Sequence, residues 1–129
     1  MTELKTKILC IEDDEDTCDL INFVFKQEGY EVESCSQTDC LKIIHEDTFS
    51  AIILDNYFHG VTGIEICRQI RSFDQTTPVI FFSGEARQSE IEKSMAAGAN
   101  AYLIKPNDFE KLTETVNKFI KTTETALKA

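Results

Sequence analysis

The chain has 129 residues, 42% of them hydrophobic, enough for one compact domain that buries most of the surface its unfolded form exposes. Its 23 acidic against 13 basic side chains leave a net charge of −10, which repels a phosphate backbone and removes the counterion-release drive toward nucleic acid. No stretch approaches the roughly 20 apolar residues of a membrane span, and residues 1–7 have no hydrophobic signal core behind them, so a soluble, cytoplasmic protein is expected.

Ile8-Leu9-Cys10-Ile11 is a short apolar run followed by acids and then by Cys18, Leu20, Ile21, Val24 and Phe25 at helical spacing, which predicts a buried strand entering a helix. Gly29 suits the position after a helix end, and Tyr30-Glu31-Val32-Glu33 alternates like a strand. Ser36 and Asp39 have the spacing of a capping box before Leu41, Ile43 and Ile44, with a helix ending near Glu46. Ala51-Ile52-Ile53-Leu54 is apolar throughout, as a central parallel strand covered on both faces should be, and it stops at Asp55.

After a loop with Gly60 and Gly63, a helix is predicted through Ile64, Cys67, Ile70 and Arg71. Pro78 opens a strand that runs to Phe82 and ends at Ser83-Gly84. Residues 89–97 form a weakly apolar helix with only Ile91, Met95 and alanines to bury. Ala101-Tyr102-Leu103-Ile104 is the last strand, ending at Lys105-Pro106. Phe109, Leu112, Val116, Phe119 and Ile120 form the stripe of a closing helix, and the residues from about Thr122 are expected to fray. The alternation predicts an α/β three-layer sandwich, a five-stranded parallel sheet with five helices in a single domain over 1–129, its core at about residues 5–121. Periodicity does not set the strand order.

Five cysteines (Cys10, Cys18, Cys35, Cys40 and Cys67) make an odd set without a CxxC pair, several of them on apolar strand or helix positions. They read as small buried hydrophobes and not as disulfides or zinc ligands.

Four predicted strands end in polar residues that their apolar runs do not explain: Glu12-Asp13, Asp55, Ser83 and Lys105. In open α/β sheets ligands bind beyond the carboxyl ends of strands, so these groups meet in one crevice. Singly each has a plainer use, Asp14 as a helix cap, Asp55 as a turn residue, Ser83 as a backbone partner and Lys105 as a solvated charge. Their joint placement favours a site. Three carboxylates in one crevice raise one another's pKa unless a cation is supplied, and an all-oxygen donor set suits Mg²⁺, with Mn²⁺ possible. A carboxylate can form an acyl phosphate, a hydroxyl can donate to a phosphoryl oxygen and a lysine can neutralise another, so the parts for phosphoryl transfer to Asp55 are present.

The series Ile11-Glu12-Asp13-Asp14, Leu54-Asp55, Phe82-Ser83-Gly84 and Ile104-Lys105-Pro106, with Gly63 eight residues after Asp55, resembles the receiver domains of two-component response regulators. The resemblance spans about residues 5–120 and implies a chemotaxis-regulator-like, flavodoxin-like fold with strand order 2-1-3-4-5. It implies Asp55 as phosphoacceptor, Asp13 and Asp55 as direct Mg²⁺ ligands, Glu12 as a helper through water and the backbone carbonyl of Tyr57 as a further ligand. It implies Ser83 as the switch hydroxyl, Lys105 as a phosphoryl contact and Tyr102 as the aromatic that turns inward on activation. Tyr57 and Glu85 flank the phosphoryl group in the same pattern, and a bulky phenol there is expected to prolong its lifetime.

Implied partners are a sensor histidine kinase or histidine phosphotransfer protein, and a downstream protein bound through the fourth helix, fifth strand and fifth helix. A stand-alone regulator, monomeric or weakly dimeric, and no conventional enzyme is expected. His59 replaces a frequent proline, Gly84 a common alanine, and Asn100-Ala101 and Pro106-Asn107 depart from the DNA-binding subgroup. His59 reads as a solvated loop residue. A flavin protein is disfavoured because Glu12-Asp13-Asp14 sets negative charge where a flavin phosphate would sit. An aspartate-nucleophile phosphatase would need an Asp-x-Asp pattern after the first strand, and the remaining alternative is a degenerate receiver acting as a phosphorylation-independent scaffold.

Overall fold

The computed structural model describes residues 6–128, with side chains described for residues 6–123. The expected start of the core near residue 5, and the segment before it, lie outside the described residues. The elements are β1 (Lys7–Ile11), α1 (Glu15–Gln27), β2 (Glu31–Cys35), α2 (Cys40–Glu46), β3 (Ala51–Leu54), α3 (Gly63–Arg71), β4 (Val79–Ser83), α4 (Gln88–Ala96), β5 (Ala101–Ile104) and α5 (Leu112–Lys128). A short 3₁₀ turn, Phe109–Lys111, leads into α5. All strand pairings are parallel, in the order β2-β1-β3-β4-β5.

Side chains alternate across the pleat, so the continuous apolar strands feed two cores. On one face Leu9, Ile11, Ile52, Leu54 and Phe81 pack with Cys40, Ile44, Ile66 and Ile70 of α2 and α3. On the other Ile8, Cys10, Ile53, Ile80 and Phe82 pack with Ile21 and Phe25 of α1 and with Leu112, Val116 and Ile120 of α5. All five cysteines are free thiols, and Cys10, Cys40 and Cys67 are buried as the composition implied. Among the described residues no helix is long and apolar enough to cross a membrane.

Two local expectations are corrected. Ser36 does not cap α2: its hydroxyl meets the side chains of Thr38 (2.8 Å) and Asp39 (3.5 Å), and residues 37–39 form a turn that puts Asp39 itself at the N-cap. The α5 backbone also runs on as helix past Thr122, where the chain was expected to fray, to Lys128.

Helix α4 is thinly anchored, as its composition predicted: Ser94 is its one buried residue and Met95 is 43% exposed. Its far end is nevertheless stapled. Arg71, the last residue of α3, donates to the carbonyls of Gly98 (2.9 Å) and Asp74 (3.0 Å) and to Asn100 Oδ1 (2.9 Å), while Asn100 Oδ1 also accepts from Val79 N at 2.9 Å. A Cβ at Gly98 would lie 2.6 Å from Arg71 Cγ, so the staple needs glycine there.

Candidate functional site

Parallel strands bring their carboxyl ends to one edge, and the polar residues that follow β1, β3, β4 and β5 collect there. Asp14 does cap α1, accepting from Thr17 N (3.0 Å) and Thr17 Oγ1 (2.5 Å). That leaves Glu12 and Asp13 at the crest of β1. Glu12 is buried and its Oε1 accepts from Asp14 N at 3.2 Å, whereas Asp13 is exposed. Asp55 N donates to Ile11 O at 3.2 Å, which sets this residue beside the β1 crest, and its Oδ1 accepts from Asn56 N at 2.7 Å. One carboxylate oxygen from each of Glu12, Asp13 and Asp55 lies within 4.8 Å of the others.

Lys105 reaches this cluster from the end of β5, where its N–H is held by Ser83 O at 2.9 Å and its peptide to Pro106 is cis. Its Nζ lies 2.7 Å from Glu12 Oε2 and 3.4 Å from Asp55 Oδ2. Burial pushes the Glu12 carboxyl above its usual range; the Lys105 hydrogen bond opposes this, and the charge of Asp55 adds to it. For Lys105 burial pulls the ammonium down, but Glu12 and Asp55 together outweigh it and the net shift is upward. A single lysine thus shares two carboxylates with a third beside them, a negative excess made only of hard oxygens. Glu12, Asp13 and Asp55 fit an oxygen-seeking divalent cation on that donor chemistry.

Ser83, at the end of β4, is fully buried and its Oγ accepts from Glu85 N at 3.3 Å. Tyr102 is half-buried, with its ring stacked 5.5 Å from Phe81 and its hydroxyl donating to the Glu85 carbonyl at 2.8 Å. Its phenol pKa is raised, by burial first, against the hydrogen bonds of Ser83 and Asn56. Sequence reasoning missed Asn56, which is 1% exposed and whose Oδ1 accepts from Ile64 N at the start of α3 (3.3 Å). No periodicity marks a buried amide that follows a strand end.

Tyr57 is half-exposed, and its hydroxyl donates to Glu85 Oε2 at 2.6 Å and accepts from Arg87 Nη2 at 3.2 Å. His59 is exposed, lies outside the acidic cluster, and meets Gln37 through its backbone carbonyl.

Residues 8–117 match the family model described as "Response regulator receiver domain". The "Response regulator ArlR" of Staphylococcus saprophyticus is 31% identical over 117 residues, 90% of this chain and 53% of that protein. The "Sporulation initiation phosphotransferase F" of Bacillus subtilis is 27% identical over 118 residues, 91% of this chain and 95% of its own length. The chain spans about half the length of several curated relatives it matches, ArlR among them. In the solved complex described as histidine kinase ThkA with response regulator protein TrrA, one chain superposes with a TM-score of 0.79 and 25% identity, covering 88% of this chain and 97% of that one. Receiver domains act in phosphorelay signalling, bind Mg²⁺ in an acidic pocket and partner with histidine kinases. By sequence, by strand order and by the residues gathered at the sheet edge, this chain belongs to the response regulator receiver domain family.

Proposed function

We propose that the protein accepts a phosphoryl group on Asp55 from a sensor histidine kinase or a histidine phosphotransfer protein, in a Mg²⁺-dependent reaction in the cytoplasm, and that the modified domain switches a protein-binding surface. The observation that carries this reading is the position of the Asp55 carboxylate: buried at the end of β3, within 3.4 Å of Lys105 Nζ and clustered with Glu12 and Asp13.

Glu12, Asp13, Asp55 and the Tyr57 carbonyl would hold Mg²⁺, which when bound supplies the positive charge that lets an anionic donor approach three carboxylates. One Asp55 carboxylate oxygen attacks phosphorus in line, a new P–O bond forms, and the bond to the donor nitrogen or oxygen breaks with its electrons. Lys105 then exchanges part of its contact with Asp55 for a phosphoryl oxygen, as a point charge. Ser83 Oγ supplies a hydroxyl donor to a second oxygen, which loosens its hold on the β4–α4 loop. Tyr102, already bonded to that loop, follows Ser83 and carries the change to α4 and β5.

Beside Lys105 an apolar groove of about 120 Å³, lined by Thr17, Leu20, Phe82, Lys105, Pro106 and Phe109, opens between α1 and the loop after β5. Leu20 is 49% exposed there, which supports docking of a donor protein on α1 with its phosphohistidine facing Asp55. The thin anchoring of α4 supports signal exit through α4, β5 and α5. Retention of acids, acceptor, hydroxyl and lysine in one cluster argues against a phosphorylation-independent scaffold.

The test is intact-mass measurement after incubation with acetyl phosphate and Mg²⁺. Wild type is expected to gain one phosphoryl group and Asp55→Asn none; equal labelling of the two overturns the assignment.

A further inference from the structure

Tyr57 and Glu85 stand two residues beyond Asp55 and Ser83, on the loops that leave the neighbouring strands β3 and β4. Their side chains meet across the gap between those strand ends, where the Tyr57 hydroxyl donates to Glu85 Oε2 at 2.6 Å. Arg87 closes the contact into a ring. Its Nε pairs with Glu85 Oε1, its backbone N–H donates to the same oxygen at 3.1 Å, and its Nη2 donates to the Tyr57 hydroxyl at 3.2 Å. The phenol is therefore fixed both as donor and as acceptor.

The same arginine is the N-cap residue of α4, and its carbonyl accepts from Glu90 N (3.0 Å) and Ile91 N (3.1 Å). The Glu85 carbonyl in turn accepts the Tyr102 hydroxyl. Two separate guanidinium nitrogens hold the carboxylate and the phenol in one fixed plane, whereas a lysine offers a single nitrogen on a flexible stem and fixes neither angle.

We propose that Arg87 is a positioning residue for the phosphoryl site: its guanidinium locks the Tyr57 phenol across the mouth between β3 and β4 and ties the first turn of α4 to the loop that carries Tyr57. This rests on Asp55 as the phosphoacceptor. It assigns Arg87 two consequences that Tyr57 and Glu85 do not produce without it. The phenol is held where it obstructs water attacking phosphorus in line. Movement of the Tyr57 loop also reaches the start of α4 directly, without passing through Ser83.

The experiment is a double-mutant cycle. Wild type, Arg87→Ala, Tyr57→Phe, the double variant and Arg87→Lys are labelled with acetyl phosphate and Mg²⁺, and phosphate loss from the purified proteins is followed by intact mass. Amide hydrogen exchange over residues 84–92 is measured on the same proteins before labelling. Each single variant is expected to lose phosphate faster by roughly two- to fivefold, the range set by a partly exposed ion pair and its hydrogen bond. The double variant should be no faster than either single one, Arg87→Lys should fall short of wild type, and exchange should rise in both single variants, more in Arg87→Ala, which loses the Glu85 pair as well. Multiplying effects, full rescue by lysine, or unchanged exchange overturn the proposal. If wild type takes no label, the Asp55 assignment fails instead, and the exchange data alone decide whether Arg87 positions Tyr57.

Discussion

Gly63 lies against the backbone of Asp55 so closely that a Cβ at position 63 would stand 2.1 Å from the Asp55 carbonyl oxygen and 2.9 Å from Asn56 Cα. Its N–H donates to Asn56 O at 2.9 Å, so the start of α3 is pressed onto the turn that presents the acceptor. Both obstructing atoms are backbone and cannot rotate away. Gly63→Ala is therefore expected to cost about 1–3 kcal/mol, seen as a fall in Tm of several degrees, and to slow labelling of Asp55 by acetyl phosphate. A variant with wild-type Tm and labelling rate would show that the turn yields freely.

Metal binding should depend on pH through Glu12. Its carboxyl is raised above the ordinary 4.5 by burial and by Asp55, so on lowering the pH it protonates before an unperturbed glutamate does and withdraws a negative charge from the cluster. Without Mg²⁺ the sign for stability is the reverse. The stability that the protonated Glu12 confers is present below 4.5 and is lost as pH rises through the raised value, because the unfolded chain ionises first. The rise in Tm on adding millimolar Mg²⁺ is thus expected to be larger at pH 7 than at pH 5, and Asp13→Ala should weaken Mg²⁺ binding on the order of tenfold by titration. A Mg²⁺ effect equal at both pH values would remove Glu12 from the metal's surroundings.

Lys105 competes with a cation for the carboxylates it touches. Removing its charge in Lys105→Met should strengthen Mg²⁺ binding several-fold while slowing phosphoryl transfer, since a pre-positioned counter-charge for the incoming phosphoryl group is lost. Titration and labelling kinetics on one preparation separate the two effects. A variant weaker in both would mean that Lys105 mainly holds the fold.

Ser83→Ala should still take a phosphoryl group, because Asp55, Glu12, Asp13 and Lys105 keep their contacts. It should show a smaller change in the NMR shifts of Tyr102 and α4 on labelling, since the buried hydroxyl that grips Glu85 N is gone. Equal shift changes in the two proteins would place the coupling elsewhere, with the Tyr57–Glu85–Arg87 ring as the first alternative.

Much of this was readable from the chain. The strand runs are apolar because both faces of the sheet are covered, so β1, β3, β4 and β5 fall within a residue of their predicted spans, whereas the half-exposed edge strand β2 is displaced by one or two. Glu12, Asp55, Ser83 and Lys105 stood out because nothing in an apolar strand accounts for a polar end. Strand order came from family resemblance alone, since a period of two says nothing about neighbours. Tyr57 and Glu85 were placed near each other by the family resemblance, but Arg87 and the ring it closes left no trace in the pattern: the ring joins two loops, and loops carry no periodicity that would bring residues 28 and 30 apart together. Asn56 was invisible for a similar reason, as its burial depends on α3 closing over it.

The Arg71 staple gives α4 a pivot. With Gly98 and Asn100 fastened to α3 and β4 at one end, and the exposed bonds of Arg87 and the loop bonds of Glu85 at the other, the helix is mounted like a door with a single hinge post. Rearrangement at the sheet edge is then expected to move its first turn further than its last. On that expectation Gln88 and Ile91, near the start, are the side chains whose position changes most, and Met95 and Ala96, near the end, those that change least.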